Sequence, residues 1–322
     1  MSKSPRIVFL GTPEFAVPSL EILVQNGFSV VGVVTAPDKP AGRGQKLSVS
    51  PVKKFAVEHD IPVLQPVNLK DPEFLSALFE LNADLQIVVA FRMLPEAVWN
   101  HPPMGTFNLH ASLLPQYRGA APINWAIING EMETGITTFF LQHEIDTGRI
   151  IFQEKVPISS EDTAGSLHDR LMLLGSTLVL KTVQAIAKGK VQAIVQDDLV
   201  KNQELKLAPK LNRANTRISI RMGAEKIHNL VRGLNPHPTA YAELSNPEHG
   251  ITFTIKVYKT KFELIEHHRI PGSIETDQKT QLSFYVRDGI VHILELQLSG
   301  RNKVLVKDFL NGVRLEGNWT LS

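Results

Sequence analysis

The segment at residues 108–122, with the sequence NLHASLLPQYRGAAP, carries the residue types in this chain best suited to catalysis. It follows residues predicted to be extended, so Asn108 and His110, two positions apart, point to one face of a strand. An amide donor and an imidazole on one face can hold the oxygen of a carbonyl group under attack. The spacing therefore predicts acyl-transfer chemistry, although a solvated strand end has the same pattern.

A carboxylate further along the chain extends this hypothesis. Asp146 lies in the sequence Asp146-Thr147-Gly148, which is also common in ordinary turns. If a strand predicted at 135–141 lies beside the strand predicted at 106–109, Asp146 comes close to His110. Asp146 would then orient the imidazole and help to remove the proton of an attacking amine, directly or through water. Since the amine belongs to the substrate, no covalent nucleophile is required.

Composition limits the other kinds of chemistry. The chain has 322 residues, is 43% hydrophobic and 20% charged, and contains no cysteine, which excludes disulfides, thiolate metal sites and cysteine nucleophiles. His143, His267 and His268 lack metal-ligand spacing, so no metal is expected. The apolar run at residues 7–10 is too short for a signal peptide or a membrane span. We therefore expect a cytoplasmic protein, monomeric, with no membrane partner.

Apolar β-branched runs alternate with helical patterns over the first two hundred residues. Several runs are apolar at consecutive positions, which favours strands covered on both faces and hence a Rossmann-like, mostly parallel α/β sheet. The predicted strands are 7–10, 30–35, 62–64, 85–90, 106–109 and 135–141. The predicted helices are 15–25, 52–59, 72–81, 124–129 and a long helix or helix pair at 163–188 that ends near Gly189.

A second domain is predicted after a linker within residues 201–216, giving domains 1–206 and 207–322. Residues 207–322 show a helix at 224–233 and short alternating segments, typical of a small barrel of the oligonucleotide-binding (OB) type. These predicted strands are 240–244, 251–258, 281–286, 291–298 and 303–309. This part has 16 Lys and Arg against 11 Asp and Glu, whereas the remainder has 18 against 21. The excess of basic residues after residue 206 indicates a polyanionic partner; a chance distribution of charges is the alternative.

A long basic insertion, rich in Gly and Pro, occupies residues 36–54 after the second predicted strand. A loop of this length is usually functional or disordered. Arg43 and Lys46 can reach phosphates, and Gly42 and Gly44 would let the loop order on binding; a solvated surface loop is the alternative.

The first strand is not followed by Gly-x-Gly-x-x-Gly, which argues against a dinucleotide cofactor.

With these motifs the chain resembles the methionyl-tRNA formyltransferases, a branch of the folate-dependent formyltransferase family, along almost its whole length. The Asn-x-His motif with Ser-Leu-Leu-Pro and the later Asp is shared across that family, so it indicates the chemistry and not the acceptor. The basic insertion and the C-terminal barrel are more specific to the tRNA branch. The matching segments are 9–16, 40–44, 50–53, 110–122, 146–148 and 232–236.

The resemblance implies transfer of a formyl group from 10-formyltetrahydrofolate to the α-amino group of methionine on initiator tRNA. It implies that Asn108, His110 and Asp146 are catalytic. It places the insertion at the acceptor-stem end of the tRNA through Arg43, Lys46, Gly42 and Gly44, with the barrel along its side. The residues implied to contact the folate are Ser112, Leu113, Leu114, Pro115, Val89, Phe91 and Leu94.

One departure from the family pattern concerns the folate side. The family commonly has Gly after the aromatic residue that precedes Ile-Leu-Pro, whereas this chain has Arg92 after Phe91. Two other functions remain possible at this stage. A formyltransferase for a small amine, such as glycinamide ribonucleotide or an amino sugar, would not need the basic insertion. A tRNA-binding protein without activity would not need Asn108, His110 and Asp146.

Overall fold

The computed structural model describes residues 4–41, 46–200 and 204–322. The chain divides into two units, neither of which is continuous in sequence. The first consists of Met1–Gly119, Thr134–Pro157 and His168–Leu207, and the second of Ala120–Glu133, Ile158–Leu167 and Ala208–Ser322. The division of the chain into domains 1–206 and 207–322 stays a prediction.

The first unit is built on a seven-stranded sheet with the order β10-β9-β7-β6-β1-β2-β5. The pairs β1–β2, β1–β6, β6–β7 and β2–β5 are parallel, and β7–β9 is antiparallel. The mostly parallel sheet predicted from the sequence is therefore confirmed. Every residue of β6 is buried because both faces of the sheet are covered. The strands are β1 (Arg6–Gly11), β2 (Ser29–Val34), β3 (Lys39–Ala41), β4 (Lys46–Ser48), β5 (Val63–Leu64), β6 (Leu85–Val89), β7 (Thr106–His110), β8 (Arg118–Gly119), β9 (Glu133–Phe140), β10 (Ile150–Pro157) and β11 (Leu207–Ala208).

The short helices of this unit begin where the sequence supplies starting signals. Pro51 and Pro72 occupy first-turn positions, where the missing N–H costs no helical hydrogen bond. The side chain of Ser50 accepts from the Lys53 N–H, and that of Asp71 from the Glu73 N–H. These helices are α1 (Val17–Gln25), after a 3₁₀ turn at Glu14–Ala16, α2 (Pro51–Glu58), α3 (Pro72–Glu80) and α4 (Glu96–Trp99), with a second 3₁₀ turn at Gln196–Leu199.

One helix of the described chain, α6 (Ala164–Ala187), is long and apolar enough to cross a membrane by length and composition alone. Its buried side chains recur at helical spacing along one face, as in a helix that covers a sheet. Thr182 on this face lies 2.9 Å from the hydroxyl of Thr138 in β9. The helix is therefore part of the core, with Leu171, Leu178, Val179, Thr182 and Val183 almost fully buried.

The second unit contains an antiparallel sheet with the order β14-β15-β16-β13-β12-β18. Ser273, just before β14, bridges to Thr320 in β18, so the sheet nearly closes on itself. This confirms the small C-terminal barrel predicted from the sequence. The elements are α5 (Pro122–Ile128), α7 (Ala224–Gly233), β12 (Ala240–Asn246), β13 (Ile251–Leu264), β14 (Ile274–Thr276), β15 (Leu282–Val286), β16 (Gly289–Leu298), β17 (Val304–Leu305), α8 (Val306–Gly312) and β18 (Thr320–Leu321).

The strand predicted at 303–309 is largely wrong. Only Val304–Leu305 is extended, and the chain then turns into α8. The buried residues Val306, Phe309 and Leu310 are spaced by three and four positions, which is the period of a helix face and not of a strand. Strands β10, β14 and β18 were not predicted.

Candidate active site

The carboxyl-terminal end of β7 holds Asn108 and His110 on one face of the strand. The strand is fixed on both sides, because β6 runs parallel to it and β9 antiparallel. Asn108 pairs with Phe139, and His110 with Thr137. The prediction that the strands at 106–109 and 135–141 are neighbours is thereby confirmed. Asn108 and His110 lie on one strand that is paired along both edges.

The imidazole of His110 is buried, and a backbone carbonyl anchors one of its two nitrogens. Its Nε2 lies 2.8 Å from the carbonyl oxygen of Tyr117. Because a carbonyl oxygen only accepts, Nε2 is the nitrogen that carries the proton in this contact. Nδ1 is on the other side of the ring and lies 3.8 Å from Oδ2 of Asp146. This separation is too long for a hydrogen bond but close enough for an ion pair when His110 is protonated.

The turn that carries Asp146 depends on a close backbone approach. At Gly148, an added Cβ atom would lie 1.6 Å from the carbonyl oxygen of Phe140. Asp146 has φ +55, a left-handed conformation that Asp tolerates better than most residues. Its Oδ2 accepts the Gly119 N–H at 2.9 Å. The spacing of Asp and Gly in this motif thus follows from the geometry that brings the carboxylate back towards His110.

Gln196 holds this turn in place, and sequence reasoning missed it. Its Nε2 donates to the carbonyl oxygens of Asp146 and Gly148, each at 2.8 Å. Its Oε1 accepts two hydrogen bonds from the guanidinium of Arg118, at 3.0 and 2.7 Å. Gln196 is 1% exposed, so water cannot replace its hydrogen bonds to the two carbonyl oxygens or to Arg118. An isolated glutamine beyond a long helix gives no local signal of this role.

The loop after β7 contains the predicted folate-contacting residues Ser112, Leu113, Leu114 and Pro115. Ser112 is fully buried, and its hydroxyl donates to the Gln116 carbonyl at 2.6 Å. Leu114 packs in a cluster with other buried apolar side chains, and the Leu114–Pro115 peptide is cis. The Ser112 hydroxyl is thus already engaged within the protein.

Two polar side chains lock this loop onto the adjacent strands. Thr137 in β9 donates to the Ser112 carbonyl at 2.6 Å and accepts the Leu114 N–H at 3.3 Å. Gln153 in β10 donates to the Leu114 carbonyl at 2.7 Å. Leu113 is half-buried, and an added Cβ at Gly135 would lie 2.5 Å from it. The loop is therefore a preformed part of the site.

The end of β6 carries the other predicted folate contacts. Val89 is fully buried in the sheet, whereas Phe91 and Leu94 are half-buried and pack against the apolar cluster that contains Leu10. Between Val89 and Phe91 the chain bends at Ala90, which is exposed and has φ +48. Phe91 and Leu94 thus present apolar surface beside the turn.

The basic insertion forms an antiparallel ribbon at its base, which the sequence did not predict. Strands β3 and β4 pair with each other, and Lys46 is the first residue of β4. The predicted tRNA contacts Arg43, Gly42 and Gly44 lie outside the described residues.

The ends of the insertion are tied together by charged and polar contacts. Asp38 Oδ2 lies 2.5 Å from Lys53 Nζ, and Asp38 Oδ1 accepts from Gln65 at 2.9 Å. These hydrogen bonds, with Lys53 contributing most, hold the pKa of Asp38 below its usual value. Asp38 is therefore a carboxylate at neutral pH.

The described residues contain no group of three or more His, Cys, Asp or Glu side chains arranged to hold a metal ion. What the structure brings together is an imidazole whose Nδ1 lies beside a carboxylate and, on the same face of the strand, an amide. Such a set can stabilise a developing oxyanion and accept a proton. It suits the transfer of an acyl group between two substrates.

Comparisons with known proteins agree with this chemistry. The family model described as "Formyl transferase" matches residues 5–183, and the model described as "Formyl transferase, C-terminal domain" matches residues 210–314. The chain is thus an enzyme of the formyl transferase family.

Within the family, the curated relatives it resembles are methionyl-tRNA formyltransferases. That of Bacteroides fragilis is 54% identical over 310 residues, covering 96% of this chain and 95% of the relative. That of Bacteroides thetaiotaomicron is 52% identical over 318 residues, covering 98% of each. A solved N-formyltransferase of Helicobacter canadensis shares the fold, with a TM-score of 0.65 and 23% identity over 93% of this chain and all of the other.

Proposed function

We propose that this enzyme transfers the formyl group of 10-formyltetrahydrofolate to the α-amino group of methionine on initiator methionyl-tRNA, for translation initiation. The observation that carries the chemistry is His110, whose Nε2 is engaged by Tyr117 and whose Nδ1 faces Asp146 at 3.8 Å. The name shared by relatives at 52–54% identity over nearly the whole chain supports the acceptor.

In the proposed reaction the amine nitrogen attacks the formyl carbon and forms the new C–N bond. The carbonyl oxygen becomes an oxyanion, towards which the Asn108 amide and protonated His110 Nδ1 donate. Each donor of this kind is worth roughly 3–4 kcal/mol of barrier. The amine proton passes to Asp146 directly or through water. The oxyanion then re-forms the carbonyl as the bond from carbon to N10 of the folate breaks, and N10 takes up the proton that Asp146 received, so the charges balance.

The folate would lie between the loop after β7 and the end of β6. Since the Ser112 hydroxyl is engaged within the protein, Ser112, Leu113, Leu114 and Pro115 would contribute shape and backbone atoms. On the other side, the half-buried Phe91 and Leu94 offer apolar surface for a flat ring beyond Val89. The residues present therefore fit an aromatic pterin.

The second part of the proposal concerns the acceptor, initiator methionyl-tRNA. Arg43 and Lys46 would bind phosphates near the acceptor end of the tRNA, with Gly42 and Gly44 letting the chain approach closely. The excess of basic residues after residue 206 supports contact of the barrel with the side of the tRNA. The enzyme would act as a monomer in the cytoplasm.

The deciding experiment is formyl transfer from 10-formyltetrahydrofolate to initiator methionyl-tRNA, with elongator methionyl-tRNA, glycinamide ribonucleotide and an amino sugar in parallel. Rapid transfer to the initiator alone is expected. Transfer to a small amine alone would preserve the roles of Asn108, His110 and Asp146 but overturn the tRNA acceptor.

A further inference from the structure

The segment at residues 65–67, directly after β5, contacts two loops that the proposed function assigns to different substrates. Gln65 Nε2 donates to the Ala36 carbonyl at 2.8 Å and to Asp38 Oδ1 at 2.9 Å. On the other side, the guanidinium of Arg92 donates to the carbonyl oxygens of Pro66 and Val67, at 2.8 Å for Val67. Three consecutive residues thus join the start of the basic insertion to the loop after β6.

On the acceptor side these contacts belong to a network that closes the base of the insertion. Asp38 holds Lys53 in α2, and the hydroxyl of Thr35 lies 2.8 Å from that of Ser50. The insertion therefore leaves and returns to a fixed base, and Gln65 connects this base to β5. A change in the position of residues 65–67 would move the carboxylate on which the base depends.

On the donor side Arg92 is the residue that departs from the family pattern. Its guanidinium lies 5.8 Å from the centre of the Phe91 ring, and Phe91 is one of the predicted folate contacts. Glycine at this position has no side chain and makes neither carbonyl contact. Arg92 forks onto two successive carbonyls, a geometry that a planar guanidinium supports and a lysine ammonium does not. The loop after β6 is therefore fastened to residues 65–67 in this chain.

We propose that residues 65–67 form a strut that couples binding of the formyl donor to binding of the tRNA, with Arg92 and Gln65 as its positioning residues. This inference rests on the proposed function. Folate bound against Phe91 would further restrain the loop after β6, and Arg92 and Gln65 would carry that restraint through residues 65–67 to the base of the insertion. Two ligands that each order the same element bind with positive coupling, and the coupling is reciprocal.

The test measures the dissociation constant of initiator methionyl-tRNA with and without saturating 5-formyltetrahydrofolate, a donor analogue. In the wild-type enzyme we expect the analogue to tighten tRNA binding by roughly 5-fold or more, the range of ordinary allosteric couplings. Arg92→Gly and Gln65→Ala should each bring this factor close to 1. The double variant should lose no more than either single variant, because both residues act through one strut.

Lys70→Ala is the matched control, since it removes an exposed positive charge near the strut. It should keep the full coupling factor. Arg92→Lys keeps the charge but not the forked contact, so it should also lose the coupling. It replaces Arg92→Gly if thermal melting shows that the glycine variant does not fold. Equal coupling in the wild type and in the double variant would overturn the strut, as would a wild-type enzyme that transfers formyl without coupling. Failure of the wild-type enzyme to formylate methionyl-tRNA would instead contradict the proposed function, before any variant is made.

Discussion

Nδ1 of His110 lies 3.8 Å from Oδ2 of Asp146, and that same oxygen accepts the backbone N–H of Gly119 at 2.9 Å. The carboxylate is thus oriented by the backbone and not by the imidazole. The imidazole, in turn, is oriented by the Tyr117 carbonyl. The two catalytic candidates are thus held by backbone groups of one short segment, residues 117–119, and not by each other. Since neither group depends on the other for its position, removing either one should lower turnover without unfolding the site.

Replacing His110 by Ala should abolish most of the turnover while tRNA binding survives. The variant loses the imidazole that donates to the oxyanion in the proposed reaction, and removing one such donor lowers kcat by about 10²–10³-fold. We expect kcat to fall by at least about 100-fold and the dissociation constant of methionyl-tRNA to stay within about twofold, a free-energy difference too small to represent a lost binding contact. Steady-state kinetics and a filter-binding assay check this. Retained turnover would rule out His110 as the catalytic imidazole.

Asp146→Asn should leave the fold intact and lower kcat strongly. The amide keeps an oxygen that accepts the Gly119 N–H, so the turn should form as before. It lacks the charge needed to receive a proton and to stabilise a protonated His110. We expect a fall in kcat of roughly 10²-fold or more with an unchanged melting temperature. Near-normal kcat would exclude the proposed proton path.

Gln196→Leu should lower both stability and kcat. Leucine has a similar size but leaves the carbonyls of Asp146 and Gly148 without their donor, and each buried unpaired group costs about 1–3 kcal/mol. The Asp146 turn should then lose its fixed position, so kcat should fall more than KM rises. Gln142→Leu is the matched control, because Gln142 lies in the same loop, exposed, and bonds only to the Thr147 hydroxyl among the contacts described. Equal effects of the two substitutions would contradict a positioning role for Gln196.

Gly148→Ala should destabilise the Asp146 turn far more than an ordinary glycine substitution. The new methyl group would overlap the Phe140 carbonyl oxygen, so the turn must move away from His110. We expect loss of activity and a free energy of unfolding lower by about 3 kcal/mol or more. Gly312→Ala, where an added Cβ meets open space, should have little effect. Comparable unfolding curves for the two variants would show that the turn can relax without cost.

Arg43→Ala tests the basic insertion, although this residue lies outside the part of the chain that the structure describes. We expect the KM for methionyl-tRNA to rise more than the KM for the folate. The salt dependence of tRNA binding should weaken by about one unit of slope, as for one lost phosphate contact. Lys190→Ala, which removes an exposed charge after α6, is the control. An unchanged KM for tRNA would contradict the role of Arg43.

The sequence predicted the parts of this protein that depend on local patterns. Continuous apolar runs such as residues 87–90 identified the central strands, and the motif around His110 identified the chemistry. The period of 303–309 was misread because Val304 and Val306 fit an alternating strand as well as they fit a helix start. Gln196 and Arg92 could not have been assigned their contacts, since each bonds to carbonyls about 25 to 50 positions away. Such contacts depend on topology, which spacing does not encode.

The second unit draws on two earlier stretches of chain, and this limits how such an enzyme can change by recombination. Asn124 in α5 donates to the Gly233 carbonyl at 2.8 Å, and an added Cβ at Gly233 would lie 2.6 Å from Ile128. Helix α7 is thus fitted to a helix encoded a hundred residues upstream. A gene cut near codon 208 would deliver the barrel without that helix. Transfer of the barrel to another protein by recombination therefore requires that α5 is transferred with it, or that another surface packs against α7 at Gly233.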